Sequence, residues 1–230
     1  MQRLQLTELV LNFELYPRVS VDSRHVSEMV DSLAAGMTLP PLVVDEKSRQ
    51  IVDGFHRYYA MKRFVGKKWQ DASVDVVLRK YATPQAMFVD AMRLNSGHGR
   101  NLTAFDKAHC VLLAERMKIK PSQVASSLAI TVERVGELRS ERVGILKTAH
   151  SASGQSVPLK NIVKHMAGQT ITTEQSDTQK KLGGMDQAFY VQQLILLIEN
   201  EMLNTDDMRL MQLLFHLQDL IAKLPRKQVA

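Results

Sequence analysis

The stretch Ile51-Val52-Asp53-Gly54-Phe55-His56-Arg57-Tyr58-Tyr59 constrains this chain more than any other. A short apolar strand breaks at Asp53-Gly54, and a helix opens at once. Such a junction suits an anion. Free N–H groups at a helix N-terminus point outward, the helix dipole is positive there, and glycine lets a phosphate approach the main chain. His56 and Arg57 add side-chain donors, and the planar fork of arginine holds two oxygens together. Strand–Gly–helix turns are also common as plain architecture, and a basic first turn is also how a solvated helix face reads. From this window alone a phosphate site and an ordinary turn both stand open.

The 230 residues allow one large domain or two small ones. Up to about residue 102, strand and helix signals alternate, which predicts a mixed α/β unit. Leu4 to Leu11 reads as a strand or turn, and Tyr16-Pro17-Arg18 as a break. Asp22 caps a helix with Val26, Met29, Val30 and Leu33 at helical spacing, closed by Gly36. Pro40-Pro41 precedes a buried strand, Leu42-Val43-Val44, which returns through a polar turn and Gln50-Ile51-Val52 as a hairpin. The helix from about Phe55 to Phe64 closes at Gly66. Val74 to Leu78 alternates as a strand, and Thr83-Pro84 is a cap and first-turn pair opening a helix to Leu94. Residues 95–101 then read as a polar, glycine-containing loop that includes Asn95, His98 and Arg100.

Thr103 caps another helix, and residues 120–138 have helix-turn-helix spacing. Ala125 is the small residue needed where the two helices cross. Leu128, Ile130, Val135 and Leu138 are apolar anchors about the turn, and Thr131 caps the second helix. Ala129 stands where the turn often holds glycine. Candidate DNA contacts are Ser122, Gln123, Thr131, Arg134 and Arg139. Glu133 and Glu137 on the same face repel phosphate, so a plain helical hairpin is the alternative. The formal net charge of +6 is concentrated in residues 105–170, where a polyanion would dock, and residues 171–230 are net acidic.

Residues 151–187 are rich in Ser, Thr, Gln and Gly and read as a linker with short helices. Residues 188–230 hold two strongly apolar helical stretches separated by Asn204-Thr205-Asp206-Asp207. So much apolar surface needs a partner, either the rest of the chain or a second copy. The expected fold class is α+β: a small mixed α/β domain over 1–102, a helix-turn-helix over 103–150, a linker, and an all-α dimerisation region over 188–230. Aromatics at 6% and 12 Met residues suit Leu/Met/Ala helix packing. The single cysteine, Cys110, lies in an apolar run and reads as a buried structural thiol. It allows neither an intrachain disulfide nor a thiolate zinc cluster. With no signal-peptide core and no run of about 18 apolar residues, the expectation is a cytoplasmic protein with no membrane partner.

In that order, strand, hairpin, Gly54-Phe55-His56-Arg57-Tyr58-Tyr59-Ala60, strand, helix, Asn95 loop and helix-turn-helix resemble the ParB/sulfiredoxin-like superfamily, and ParB-type DNA-binding proteins in particular. The resemblance covers about residues 1–150. Gly54 to Ala60 stands in place of the family's Gly-Glu-Arg-Arg-x-Arg-Ala phosphate box. Leu94-Asn95 with His98 or Arg100 matches part of its Glu-Asn-x-x-Arg motif, and Pro17-Arg18 resembles its early Pro-Arg element. The resemblance implies a phosphate or nucleotide site made by Gly54, His56, Arg57, Asn95 and Arg100. The nucleotide would be CTP with Mg²⁺, Asn95 also serving the metal. It further implies a homodimer on DNA, associated with the nucleoid and acting in partition or transcription regulation.

Two departures bear on hydrolysis: Leu94 stands where the family has a metal-supporting Glu, and Phe55 where the first box has Glu. His-Arg in the box looks more like sulfiredoxin and the free-serine kinases, but Phe55 replaces the Cys that sulfiredoxin needs. A small-molecule kinase or NTPase would need a base such as Glu14 or Asp53. A DNA-binding regulator with a decayed nucleotide box is the third reading.

Overall fold

The computed structural model describes residues 2–97, 100–148 and 151–225. Its first sheet has β1 (Gln2–Gln5), β2 (Leu42–Asp45), β3 (Ile51–Asp53) and β4 (Ser73–Arg79) in the order β1-β4-β2-β3. The β2–β3 hairpin is antiparallel, with Val43 opposite Asp53. β2 and β4 are parallel, with Leu42 beside Val76, and the helix between β3 and β4, α2 (Phe55–Val65), makes the crossover a parallel pair requires. α1 (Ser23–Ala34) packs against α2 and is capped by Asp22. Leu6, Val44, Phe55, Tyr58 and Val76 form the core of this lobe.

A second core lies among α3 (Pro84–Gly97), α4 (Ala104–Arg116), α5 (Pro121–Leu128) and α6 (Val132–Glu141), built on Phe88, Met92, Cys110, Leu128 and Leu138. Cys110 is fully buried, with its Sγ donating to the Pro17 carbonyl at 3.1 Å. α3 runs past Leu94, so Asn95 lies in a helix and not in the loop the sequence predicts. Its amide donates to the Ala91 carbonyl at 2.9 Å, a side-chain copy of the helical hydrogen bond. His98 lies outside the described residues. The α5–α6 turn follows its sequence signals: Ala129 takes the left-handed conformation at φ 52°, and Thr131 Oγ1 accepts from the Arg134 N–H at 3.2 Å.

Residues 151–187, expected as a linker, contain two strands of a second sheet. β5 (Val143–Thr148), β6 (Ser151–Pro158) and β7 (Thr170–Ile171) have the order β6-β5-β7. β5 and β6 form an antiparallel hairpin, with Ile145 opposite Ser156, and buried Val143, Leu159 and Ile171 anchor it. At Gly154 φ is +71°, and a Cβ would collide with Ile145, so only glycine fits there. α7 (Thr173–Lys181) is fastened to this sheet by buried Gln179, which donates to the Pro158 carbonyl and accepts from the Lys160 N–H.

The chain divides into two compact units between Gly184 and Met185. Boundaries expected near residues 102 and 150 fall inside the first unit, because α3 packs on α5 and α4 on β6. The second unit holds α8 (Gln187–Glu199) and α9 (Met208–Ala222), capped by Asp186 and Asp207, and no residue of either helix is buried. The architecture is α+β, as the sequence predicts. Among the described residues no helix is long and apolar enough to cross a membrane.

Candidate anion cleft

Gly54 caps α2 at φ 111°, and a Cβ there would strike Leu42 and crowd the Arg57 guanidinium at 3.2 Å. His56 and Arg57 follow it as neighbours on a helix, so they point about 100° apart. Arg57 folds back beneath the junction. It donates to the carbonyls of Pro40 (3.0 Å) and Pro41 (2.5 Å) and to Asp53 Oδ2 (2.5 Å). The other Asp53 oxygen accepts from Asn95 Nδ2 at 3.3 Å. Arg57, Asp53 and Asn95 thus close a network behind the sheet edge. Glu14 is exposed in a short turn. None of these four residues lies on the wall of the cleft that holds His56.

His56 points instead to the start of α1. Its Nε2 accepts from the Asp22 N–H at 3.1 Å, and its ring meets the edge of His25 at 5.2 Å. Burial, helped by nearby Arg18, pushes its pKa down to about 4, so the ring is neutral at pH 7. The accepted hydrogen bond places its proton on Nδ1. Asp22 Oδ1 caps α1 by accepting from the N–H groups of Arg24 and His25, and Oδ2 pairs with Arg100. The Arg100 hydrogen bond leads in pulling the Asp22 pKa down to about 2. Buried Arg18 donates to the backbone carbonyls of Arg100 and Asn101 and lies 3.9 Å from Asp106. Asp106 in turn completes the α4 capping box with Thr103 and accepts from the Val19 N–H.

These groups form one wall of a cleft of about 870 Å³. Arg142, Lys160 and Lys180 also line it, and the N-termini of α1 and α4 both open onto the space. Burial lowers the pKa of Arg142 and of Lys160. Lys160 Nζ donates to the carbonyls of Lys180 and Leu182. Five cationic side chains against Asp22 and Asp106, plus two helix N-termini, make a field suited to a polyanion. Sequence reasoning found His56 and Arg100 here, but not Arg142, Lys160 or Lys180, which no local motif marks.

Among the described residues, no group of three or more His, Cys, Asp or Glu could hold a metal ion. Asn95 uses its NH₂ on Asp53 and the Ala91 carbonyl. Asn95 does not line the cleft, so a Mg²⁺ bound there would rest on the ligand's phosphates and on the cleft's own carboxylates, Asp22 and Asp106. On α6, Arg134 is paired with Glu137 at 2.5 Å and Arg139 with Glu115 at 2.9 Å. Ser122 and Gln123 are exposed at the start of α5, whereas the Thr131 hydroxyl is used in its cap.

No protein-family model matches the chain. It is 32% identical over 123 residues to the transcriptional regulator NovG of Streptomyces niveus, a match covering 52% of this chain and 37% of NovG. The chain therefore spans little more than a third of that relative's length. Among solved structures it is similar to the C-terminally truncated chromosome-partitioning protein ParB of Caulobacter crescentus complexed to the centromeric parS site. That match has 18% identity, covers 60% of this chain and 70% of the other, and has a TM-score of 0.42. The same truncated ParB complexed with CTP-γ-S matches at 18% identity over 60% and 75%, with a TM-score of 0.36. A pNOB8-like ParB N-domain matches at 17% over 68% and 52%, with a TM-score of 0.41.

Proposed function

We propose that this protein is a ParB-like DNA-binding regulator whose first unit binds the phosphates of a nucleotide, CTP being the one its sequence resemblance implies. The observation that carries the reading is the position of Arg100. It lines a cation-rich cleft, is held by Asp22, and sits at the entry to α4, on which the α5–α6 pair is packed. A polyanion in the cleft competes with Asp22 for Arg100 and so couples occupancy to the segment that leads into the DNA-binding helices. Any such ligand biases the arrangement it binds better. The 32% identity to a transcriptional regulator supports the regulatory side of the reading. α8 and α9 would pair two copies, and two-fold pairing matches a palindromic site.

Calorimetric titration with CTP, ATP and ADP, each with and without Mg²⁺, tests the reading on wild type and Arg100→Ala. Binding of one nucleotide that weakens at least ten-fold in the variant, with unchanged melting, is the expected result. Duplex binding without any nucleotide affinity would instead leave a regulator with a decayed box. Nucleotide turnover with no duplex affinity would make it a small-molecule kinase or NTPase.

A further inference from the structure

We propose that the β5–β6 hairpin is a wing of the α5–α6 unit, a two-stranded ribbon whose Lys147 end contacts the phosphate backbone of duplex DNA beside the groove that α6 enters. The proposal rests on the DNA-binding reading and adds a contact surface to it.

Connectivity fixes the ribbon to the second helix, since α6 ends at Glu141 and β5 begins at Val143. Packing then sets its direction. Lys160, just past β6, lies 5.7 Å from the ring of Phe105 at the start of α4. Ser156, within β6, accepts from Arg116 at the end of α4. β6 therefore runs antiparallel to α4, and the Lys147 end of the hairpin is carried toward the end where Lys118 and Lys120 lead into α5. Glu115, which faces β6 across a shared groove, is also the residue that pairs with Arg139 of α6. The end of α4, the ribbon and α6 thus meet at one place.

Charge says what the ribbon is for. Phosphate contacts supply most of the affinity of a DNA-binding protein. Yet α6 carries Glu133, Glu137 and Glu141 against Arg134 and Arg139, and both arginines hold carboxylate partners. The helix alone does not attract phosphate, so cations must flank it. The chain has 24 acidic residues in 230, but none between Arg142 and Thr173, and with Arg142 and Lys160 lining the cleft, Lys147 is the cation that span brings to this end of the ribbon. Lys147 is exposed. β6 carries Gly154 opposite β5, and a two-stranded ribbon is narrow enough to lie close to a duplex.

The test is fluorescence anisotropy of the full chain with a labelled random-sequence duplex of about 40 base pairs, from about 50 to 200 mM KCl. Lys147→Ala should weaken binding about five-fold and reduce the slope of log K against log salt by about one. Lys147→Arg should restore both, and Lys223→Ala, the same charge change in the second unit, should alter neither. Wild-type affinity and slope in Lys147→Ala would overturn the wing and leave the DNA-binding reading standing. No duplex binding by wild type at the lowest salt would overturn both.

Discussion

α4 and α9 are both dominated by apolar residues, and their surroundings treat them oppositely. In α4, Ala108 and every residue from Cys110 to Ala114 are buried. In α9, Leu213, Phe215 and Ile221 are each more than half exposed, and nothing in the helix is buried. Composition cannot tell these helices apart; the neighbours do. α4 is wrapped by α5, α6 and β6, whereas no residue of α8 or α9 is buried. An apolar face of that size in water is a face awaiting another surface, and a second copy of the chain is the proposed one.

One substitution made in both places gives the largest contrast. Phe88→Ala removes a ring with no exposure and should cost about 4 kcal/mol in denaturant unfolding of the first unit. Phe215→Ala, at 61% exposure, should leave that transition within about 0.5 kcal/mol and instead lower the apparent mass in sedimentation. Equal losses of stability in the two variants would erase the distinction. The next contrast lies within the site. Arg57→Ala removes the partner of one Asp53 oxygen and of the part-buried Pro41 carbonyl and should destabilise by about 2 kcal/mol, while exposed Arg100→Ala should change unfolding by no more than about 1 kcal/mol. Chemical denaturation of both variants would show whether Arg57 is a clamp or a free ligand.

Acid sharpens the comparison from the side of charge. His56 has a folded pKa of about 4 against 6.5 unfolded, so between those values the unfolded chain binds more protons. Its contribution is fully present above pH 6.5 and is lost as pH falls toward 4. The melting temperature of the first unit should drop over that window, and His56→Gln should flatten the drop. Asp22, depressed from 3.8 to about 2, adds a second loss below that range. The smallest effect belongs to Ala129, where an L-residue is held at φ 52°. Ala129→Gly relieves about 1 kcal/mol of left-handed strain but frees the unfolded chain. Thermal melting should register a net gain of about 0.5 kcal/mol.

Much of the fold was legible because local signals and long-range packing agree. Asp22, Thr103 and Thr131 cap the helices they were expected to cap, and the β2–β3 hairpin runs into α2 as its residues indicate. The second sheet was not legible. Ser151 to Ser156 has the composition of a linker, and what makes it a strand is pairing with β5, a glycine packed on Ile145, and the buried anchors Val143, Leu159 and Ile171. The site was half legible. His56 and Arg100 were chosen for their chemistry and both line the cleft. Arg57 was chosen alike, yet helical geometry already separates adjacent side chains. The Arg134–Glu137 pair could be read from its spacing, but the Arg139–Glu115 pair required the packing of α6 on α4.

The order β1-β4-β2-β3 also sets a timetable. β1 pairs only with β4, so Arg3 meets Ser73 across a sequence separation of 70 residues. During synthesis at roughly 5–20 residues per second, β1 waits on the order of 4 to 14 seconds for its partner. When β4 arrives it must enter between β1 and β2, completing the sheet from its middle. The N-terminal lobe therefore closes late for its length, and the nascent chain carries the apolar Leu4 and Leu6 uncovered through that interval, a target for whatever guards the ribosome exit.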